Sequence, residues 1–202
     1  MKKTAVFKIS ILFIIFLFIQ ANSLLAQDGF ASIKPITDED IASFKEQAVR
    51  DIYDLNSYIS MMCNKAASAN RKKFARNMAI KLFYSDSATV QISRADKSIK
   101  TEKISTYFNN LICTKYSNVN ITFYEVYISK DFKPGPNGKY YGTATYTQKF
   151  EVSSNGKEYQ TNHPDITEKN VQLVIEPITY QDGNIQTYWV LKLGDINVTN
   201  TE

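Results

Sequence analysis

The segment VNITFYEVYIS, residues 119–129, alternates apolar and polar side chains and decides the fold class of this chain. A period of two is typical of a β-strand with one buried face. The segment PGPNG, residues 134–138, follows it, and proline and glycine favour a reversal of the chain there. The segment YYGTATYTQKFEV, residues 140–152, then alternates again. We therefore predict a long antiparallel hairpin with one face open to solvent.

Before this hairpin, the apolar residues follow the period of a helix. Thr37-Asp38-Glu39-Asp40 resembles a capping box, in which a threonine and an acid three residues later satisfy free backbone N–H groups. It predicts a helix over about 37–65. The apolar stripe of this helix consists of Ile41, Phe44, Ala48, Ile52, Leu55, Ile59 and Met62.

A second helix is expected after the polar break Ser68-Ala69-Asn70, with Phe74, Met78 and Leu82 facing inward. Its outer face is basic and carries Arg71, Lys72, Lys73, Arg76 and Lys81. A solvated helix face is the ordinary interpretation of such a run. Contact with an anionic lipid or polysaccharide is the alternative.

The remaining elements are a short strand at 88–92, a third helix over about 102–115 capped by Thr101, and a hairpin of 171–178 and 186–193 around the turn 181–184. The polar composition of residues 157–169 predicts a loop. Helices followed by long strands predict an α+β domain, in which N-terminal helices pack on a curved, cone-shaped antiparallel sheet.

The first 27 residues have the pattern of a secretory signal peptide: Lys2 and Lys3, an apolar run over 9–19, then small residues near Ala21 and Ala26. An uncleaved anchor is the alternative, but a membrane-spanning helix needs about 20 apolar residues. We expect cleavage, a flexible lead-in at 28–36 and a domain over 37–202. The expected location is the periplasm or the extracellular space, with no membrane span after cleavage.

The charge balance gives no support for nucleic acid as a partner. The whole chain has 24 basic and 20 acidic residues, and residues 1–27 hold three lysines and no acid, so the mature chain has 21 against 20. Nucleic-acid affinity depends on many cations that neutralise phosphates. A nearly neutral domain of ordinary composition does not predict that function.

Cys63 and Cys113 are the two cysteines of the chain. An exported protein meets an oxidising compartment, and this favours a disulfide between them. The alternative is two separate buried thiols, because the sequence does not show whether the two residues come within bonding distance.

Catalytic and metal-binding motifs are scarce. His163 is the one histidine, so a multi-histidine metal site is excluded, and it is expected in an exposed loop. There is no Gly-x-Ser-x-Gly motif and no glycine-rich phosphate loop. We predict no metal and no cofactor.

Glu125 is the best candidate for a pocket carboxylate. If Val119, Ile121 and Phe123 face the helices, a period of two places Glu125 and Tyr127 on the same face. Tyr84 or Tyr127 would then be its hydrogen-bond partner. The alternative is that the strand bulges or leaves the core there, so that Glu125 is solvated.

Tyrosine is frequent in this chain, with 13 residues, and ten of them lie after residue 100, where strands are expected. Solvent-facing sheet is the ordinary interpretation, because tyrosine favours strands. A binding surface is the alternative, since an amphipathic ring suits an interface. The expected binding residues are Tyr124, Tyr141, Tyr146 and Tyr188.

The order of elements over about 37–199 resembles the nuclear-transport-factor-2-like superfamily, which includes ketosteroid isomerases and polyketide-cyclase-like proteins. The segment LFYSDSATV, residues 82–90, looks like the family's junction between the second helix and the first strand. The segment YWVLKLGDI, residues 188–196, is similar to its last strand. The resemblance implies a conical pocket between helices and sheet. In the isomerase branch an acid follows the position of Val90, but here Gln91 and Ile92 follow, so that base is missing.

Two functions remain from the sequence. The leading hypothesis is an exported, non-catalytic module of the cell envelope that binds a small molecule or a protein. The alternative is a small-molecule isomerase, dehydratase or cyclase that acts through Glu125 and a tyrosine. A homodimer formed through the open sheet is a further expectation.

Overall fold

The computed structural model describes residues 35–94, 98–113, 118–154, 157–158, 165–182 and 184–201. The predicted signal peptide, most of the lead-in and His163 lie outside these ranges.

Helix α1 spans Asp38–Cys63, as the capping motif and the apolar stripe predict. The Thr37 hydroxyl accepts a hydrogen bond from the Asp40 backbone N–H at 3.2 Å, and the Asp40 carboxylate accepts one from the Thr37 N–H at 2.9 Å. Three acids in the first turn lie at the positive end of the helix dipole, where negative charge stabilises the helix. The buried residues of α1 are Ala48, Ile52, Leu55, Ile59, Met62 and Cys63.

Helix α2 spans Ala69–Lys81 and begins at Ser68, whose hydroxyl accepts from the Arg71 N–H. It buries Ala75 and Ala79, whereas the side chain of Phe74 is 59% exposed. The prediction that Phe74 faces inward is therefore wrong. Two alanines one turn apart let the backbone of α2 lie close to the core, and this orientation turns the larger Phe74 outward.

Strands β1 (Thr89–Ser93) and β2 (Ile99–Lys103) form an antiparallel pair that precedes helix α3, Ile104–Ile112. Thr101 pairs with Gln91 inside this ladder. The prediction that Thr101 caps the third helix is therefore wrong. Lys103 occupies the cap position of α3 without a side-chain hydrogen bond. Pairing with β1 therefore outweighs the local preference of Thr101 for a helix cap.

The long strands are β3 (Asn118–Pro134), β4 (Tyr140–Ser154), β6 (Asp165–Asp182) and β7 (Asn184–Thr201); the short β5 (Lys157–Glu158) pairs with the end of β4. The order across the sheet is β2-β1-β7-β6-β4-β3. Because β6 begins at Asp165, the predicted loop at 157–169 is too long. The sheet is mixed, because β1 runs parallel to β7, with Val90 opposite Ile196.

The three helices pack on one face of this curved, unclosed sheet, which confirms the α+β class. We call this face the inner face and the opposite one the outer face. The inner face joins residues of β3, β4, β6 and β7 to those of α1, α2 and α3 in one apolar core. On β4 the inner face carries Ala144 and Tyr146, and the alternate residues Thr145 and Thr147 belong to the outer face.

Residues 179–187, where β6 ends and β7 begins, form a second unit. In it the hydroxyls of Thr179 and Thr187 are hydrogen-bonded at 3.0 Å. Across the described part of the chain, none of the helices is both long enough and apolar enough to cross a membrane.

Candidate functional site

A small cavity lies between the helices and the inner face of the sheet. Its volume is about 10 Å³, which is enough for about one water molecule. Four side chains that line it are polar: Tyr107, Tyr146, Gln148 and Lys169. The others are apolar: Leu55, Ile59, Val90, Ile104, Phe108, Phe123 and Ile196.

Lys169 is the most unusual residue of this cavity, because its side chain is only 2% exposed. It lies on β6 directly opposite Tyr146 of β4, at a position that the strand period turns inward. Its ammonium group donates a hydrogen bond to the backbone carbonyl of Gln91 at 3.1 Å. A buried lysine needs such a partner, since removal of its charge from water is unfavourable.

Two tyrosines complete the polar part of the cavity. The Tyr146 ring lies 4.4 Å from the Phe123 ring, centroid to centroid, and Tyr107 packs at 5.7 Å from Phe108. Burial raises the pKa of both hydroxyls, and a charge on the nearby Cys63 would raise that of Tyr107 further. Both phenols are therefore neutral hydrogen-bond donors at physiological pH.

These groups favour the recognition of an oxygen-bearing or anionic molecule. An ammonium group, two phenols and an amide within an apolar shell offer hydrogen-bond donors whose interactions are stronger than in water. Among the described residues that line the cavity there is no carboxylate and no imidazole.

Glu125 does not lie in this cavity, so the prediction of a pocket carboxylate is wrong and the alternative of a solvated Glu125 is confirmed. A β-bulge separates Tyr124 from Tyr127, and Glu125 within it has a φ of 55°. The extra residue reverses the inward–outward alternation of the strand. The Glu125 carboxylate is exposed and accepts a hydrogen bond from the Thr147 hydroxyl at 3.2 Å.

The tyrosines proposed as partners of Glu125 are also outside the cavity. Tyr127 is 52% exposed and Tyr84 is 41% exposed. Tyr84 is held by its backbone, whose N–H donates to the Leu193 carbonyl at 2.9 Å. The structure therefore does not bring these three candidate catalytic residues together around an enclosed site.

The four predicted binding tyrosines separate into two groups. Tyr146 is buried and lines the small cavity instead of the outer face. Tyr124 and Tyr141 are half-buried and Tyr188 is 52% exposed. The alternation of side chains along each strand places these three on the outer face, with Tyr124 opposite Thr147.

The outer face around these tyrosines is a network of short polar side chains. The Thr145 hydroxyl donates to the Asn170 side-chain oxygen at 2.7 Å, and the Asn120 amide donates to Glu151 at 3.0 Å. Hydrogen bonds from Lys149 and Asn120 lower the pKa of Glu151. The outer face thus carries hydrogen-bonded polar groups, of which Thr145 is buried, together with aromatic rings.

The predicted disulfide is wrong, because both cysteines are free. Cys63 ends α1 with its side chain in the core, whereas Cys113 follows α3 and is exposed. Burial raises the pKa of the Cys63 thiol to about 11. Cys63 is therefore protonated and unreactive at neutral pH.

Within the described ranges, no group of three or more histidine, cysteine, aspartate or glutamate side chains could hold a metal ion. Lys169, Tyr107 and Gln148 were not singled out from the sequence. For Lys169 a signal was present: the alternation of Val171, Leu173 and Ile175 extends backward to Lys169 and Thr167, all of which are buried.

Comparison with known proteins gives one distant structural likeness. No protein-family model matches the chain, and no curated protein does either. A crystal structure of a protein from Novosphingobium aromaticivorans, provisionally named a scytalone dehydratase, is similar with a TM-score of 0.44 and 9% identity. The match covers 81% of this chain and 90% of that chain. A likeness of this size assigns neither a family nor an activity.

Proposed function

We propose that this protein is an exported, non-catalytic binding module of the cell envelope with a nuclear-transport-factor-2-like fold. The observation that carries the proposal is the size of the interior cavity, about 10 Å³. Ligand sites usually have volumes of about 300–1,000 Å³. A domain whose interior is filled by its own side chains offers its surface to a partner.

The outer face of the sheet is the surface that suits a protein partner best. Tyr124, Tyr141 and Tyr188 contribute amphipathic rings to it, with Tyr124 opposite Thr147 and Tyr141 opposite Val174. Tyrosine is enriched in protein interfaces because it contributes a large contact area and a hydroxyl. The partner is an envelope protein or a second copy of this chain.

Site-specific photo-crosslinking tests this surface. A photoreactive residue at position 124 or 188 should crosslink to one defined protein in intact cells. The same residue at position 53, an exposed tyrosine on α1, serves as the control. Mass spectrometry of the product distinguishes a second copy from another protein. Equal labelling from position 53, or no product from the outer face, would contradict the proposal.

A second candidate function rests on the convergence of Lys169, Tyr146 and Tyr107 on the cavity. These groups suit a small molecule with a carboxylate or carbonyl oxygen, provided that the cavity widens around it. Native mass spectrometry of the purified protein tests this function. A small molecule bound to the wild type and absent from Lys169→Met would favour it, and an unliganded wild type would exclude it in favour of the surface function.

Export is part of the proposal and has its own test. The basic start and apolar run of residues 1–27 support processing by a signal peptidase. The intact mass of the protein isolated from the periplasm or medium should show that the N-terminal segment is missing, with the new terminus after Ser23 or Ala26. A full-length chain in the cytoplasm would contradict export.

A further inference from the structure

The polar groups of the small cavity come from separate elements of the fold. Tyr107 belongs to α3 and Lys169 to β6, and strand β4 contributes Tyr146 and Gln148. The Lys169 ammonium group also reaches β1, because it donates to the Gln91 carbonyl at 3.1 Å. Gln91 and Lys169 are 78 positions apart in the chain. An occupant of the cavity therefore contacts groups from distant parts of the sequence.

Hydrogen-bond donors and a positive charge predominate among these polar groups. The Lys169 ammonium group has three N–H donors and no acceptor, and the Gln148 amide group has two donors and one carbonyl oxygen. The hydroxyls of Tyr107 and Tyr146 keep their protons, because burial raises their pKa. A buried cation is stabilised by an anion in contact with it. The lining of the cavity thus favours an anion over a neutral or cationic occupant.

Glu102 of β2 is an acid whose charge reaches this group of side chains. Burial is the main cause of the raised pKa of Tyr107, and charges on Cys63 and Glu102 add to it. Glu102 does not line the cavity. Lys100 forms an ion pair with its carboxylate, and the Asn110 amide donates to it at 3.1 Å. The negative charge of Glu102 is therefore compensated outside the cavity and does not exclude an anion from it.

The volume of the cavity limits the occupant to one small particle. About 10 Å³ accommodates about one water molecule. A chloride ion is only slightly larger, whereas acetate, phosphate and sulfate each have several heavy atoms. A water molecule also has two hydrogens to donate, and acceptors are in the minority here. Size and charge together thus select a monatomic anion.

We propose that the cavity binds one chloride ion, held by the Lys169 ammonium group and the hydroxyls of Tyr107 and Tyr146. The Gln148 amide group supplies a further donor. The ion links α3 to strands β4 and β6, so that its binding stabilises the folded state over the unfolded chain. This inference goes beyond the functions proposed above, because it concerns the cavity at its present size and requires neither an outer-face partner nor a widened pocket.

Urea unfolding of the purified protein at constant ionic strength tests the proposal. Sodium chloride replaces sodium gluconate in steps, because the gluconate ion is too large for the cavity. Once chloride exceeds its dissociation constant, each tenfold rise in chloride should raise the ratio of folded to unfolded protein about tenfold, as expected for one site that the unfolded chain lacks. A ratio that does not change with chloride would overturn the proposal, whatever the variants show.

Two matched pairs of variants locate the effect. Lys169→Met should abolish the chloride dependence. Lys192→Met should retain it, because the Lys192 ammonium group donates to the Lys81 carbonyl at 2.7 Å and does not line the cavity. Tyr146→Phe should weaken the apparent affinity for chloride about tenfold, because it removes one hydrogen bond to an ion. Tyr188→Phe, at an exposed position, should leave the affinity unchanged. Equal effects within each pair would contradict a site in the cavity.

Crystals grown in sodium bromide locate the ion directly, because bromide replaces chloride and scatters anomalously. We expect a bromide peak in the cavity, in contact with the Lys169 Nζ. A cavity that holds only water would overturn the proposal. A bromide peak without any chloride dependence of unfolding would mean binding at crystal concentration only, and would overturn it too. So would an organic molecule that native mass spectrometry detects on the wild type and not on Lys169→Met, since it would occupy the same site.

Discussion

The side chains on the two faces of strand β4 make different kinds of contact with their neighbours. On the inner face, Ala144 and Tyr146 fill space among side chains of the helices and neighbouring strands. On the outer face, Thr145 and Thr147 hydrogen-bond to polar side chains of β6 and β3. One strand thus contributes volume on one side and hydrogen bonds on the other.

The comparison teaches where this domain is sensitive to change. A truncation on the inner face leaves a void that neighbouring side chains fill only in part. A substitution on the outer face that removes one hydrogen bond but keeps the volume of the side chain leaves no such void. Lys169 is the exception, because it places a charge on the inner face, where the other side chains fill space.

The largest effect is expected for Tyr146→Ala. It removes a ring that packs on Phe123 at 4.4 Å and is 1% exposed. We expect a loss of about 3–5 kcal/mol in the free energy of unfolding. Tyr188→Ala, on the outer face, should change it by less than about 0.5 kcal/mol. Urea unfolding monitored by the fluorescence of Trp189, the one tryptophan of the chain, measures both; similar losses would remove the distinction between the faces.

The next effect is a loss of stability in alkali. Burial raises the pKa of Cys63 from 9.0 to about 11. Between these values the unfolded state loses its proton and the folded state keeps it, so the free energy of unfolding falls as the pH rises. The expected fall is about 3 kcal/mol from this thiol. Tyr107 and Tyr146 act in the same direction at higher pH, because burial raises their pKa too.

Urea midpoints at pH 9 and pH 11 measure this fall. Cys63→Ala should remove the part of the fall that belongs to this thiol, whereas Cys113→Ala should leave it unchanged. An identical fall in both variants would mean that Cys63 does not titrate as its burial requires.

Thiol labelling of the native protein compares a buried and an exposed position at the level of single atoms. Cys113 is exposed and should react promptly with iodoacetamide, whereas Cys63 should react roughly 100-fold more slowly at neutral pH, because its raised pKa leaves little thiolate. Mass spectrometry of peptides gives both rates. Two unreactive cysteines that become reactive only after reduction would restore the disulfide.

A smaller effect than that of Tyr146→Ala is expected for Thr145→Val. It keeps the shape of the side chain but removes the hydrogen bond to Asn170. The expected loss is about 1 kcal/mol in the free energy of unfolding. Thr143→Val, at the next outward position of β4, is the matched control and should have a smaller effect. Equal losses would show that the Thr145–Asn170 hydrogen bond contributes little.

The sequence predicted those elements in which local pattern and final packing agree. The stripe of α1 and its cap at Thr37 are of this kind, as is the β3–β4 hairpin. Phe74 shows why a pattern can mislead: a helix offers several apolar faces, and the close approach permitted by Ala75 and Ala79 decides which one is buried. Only the tertiary structure contains that information.

The candidate site was predicted less well, because it depends on register. One bulge near Glu125 changes which residues of β3 face inward, and no residue in that segment signals it. Strand β2 is a second case, since its ladder with β1 sets the start of α3 at Ile104. Tyr146 and Lys169 become neighbours only because β4 and β6 pair in one particular register.

The parallel pairing of β1 with β7 has a consequence for the order of events during biosynthesis. Thr89 and Asp195 are 106 residues apart in the chain, yet the Asp195 carboxylate accepts from the Thr89 N–H at 2.7 Å. The partner of β1 is thus synthesised 106 residues after β1 itself. Such distant contacts slow folding, because a long loop must close before they form. A chain that has been synthesised only as far as β6 therefore lacks the partner of β1.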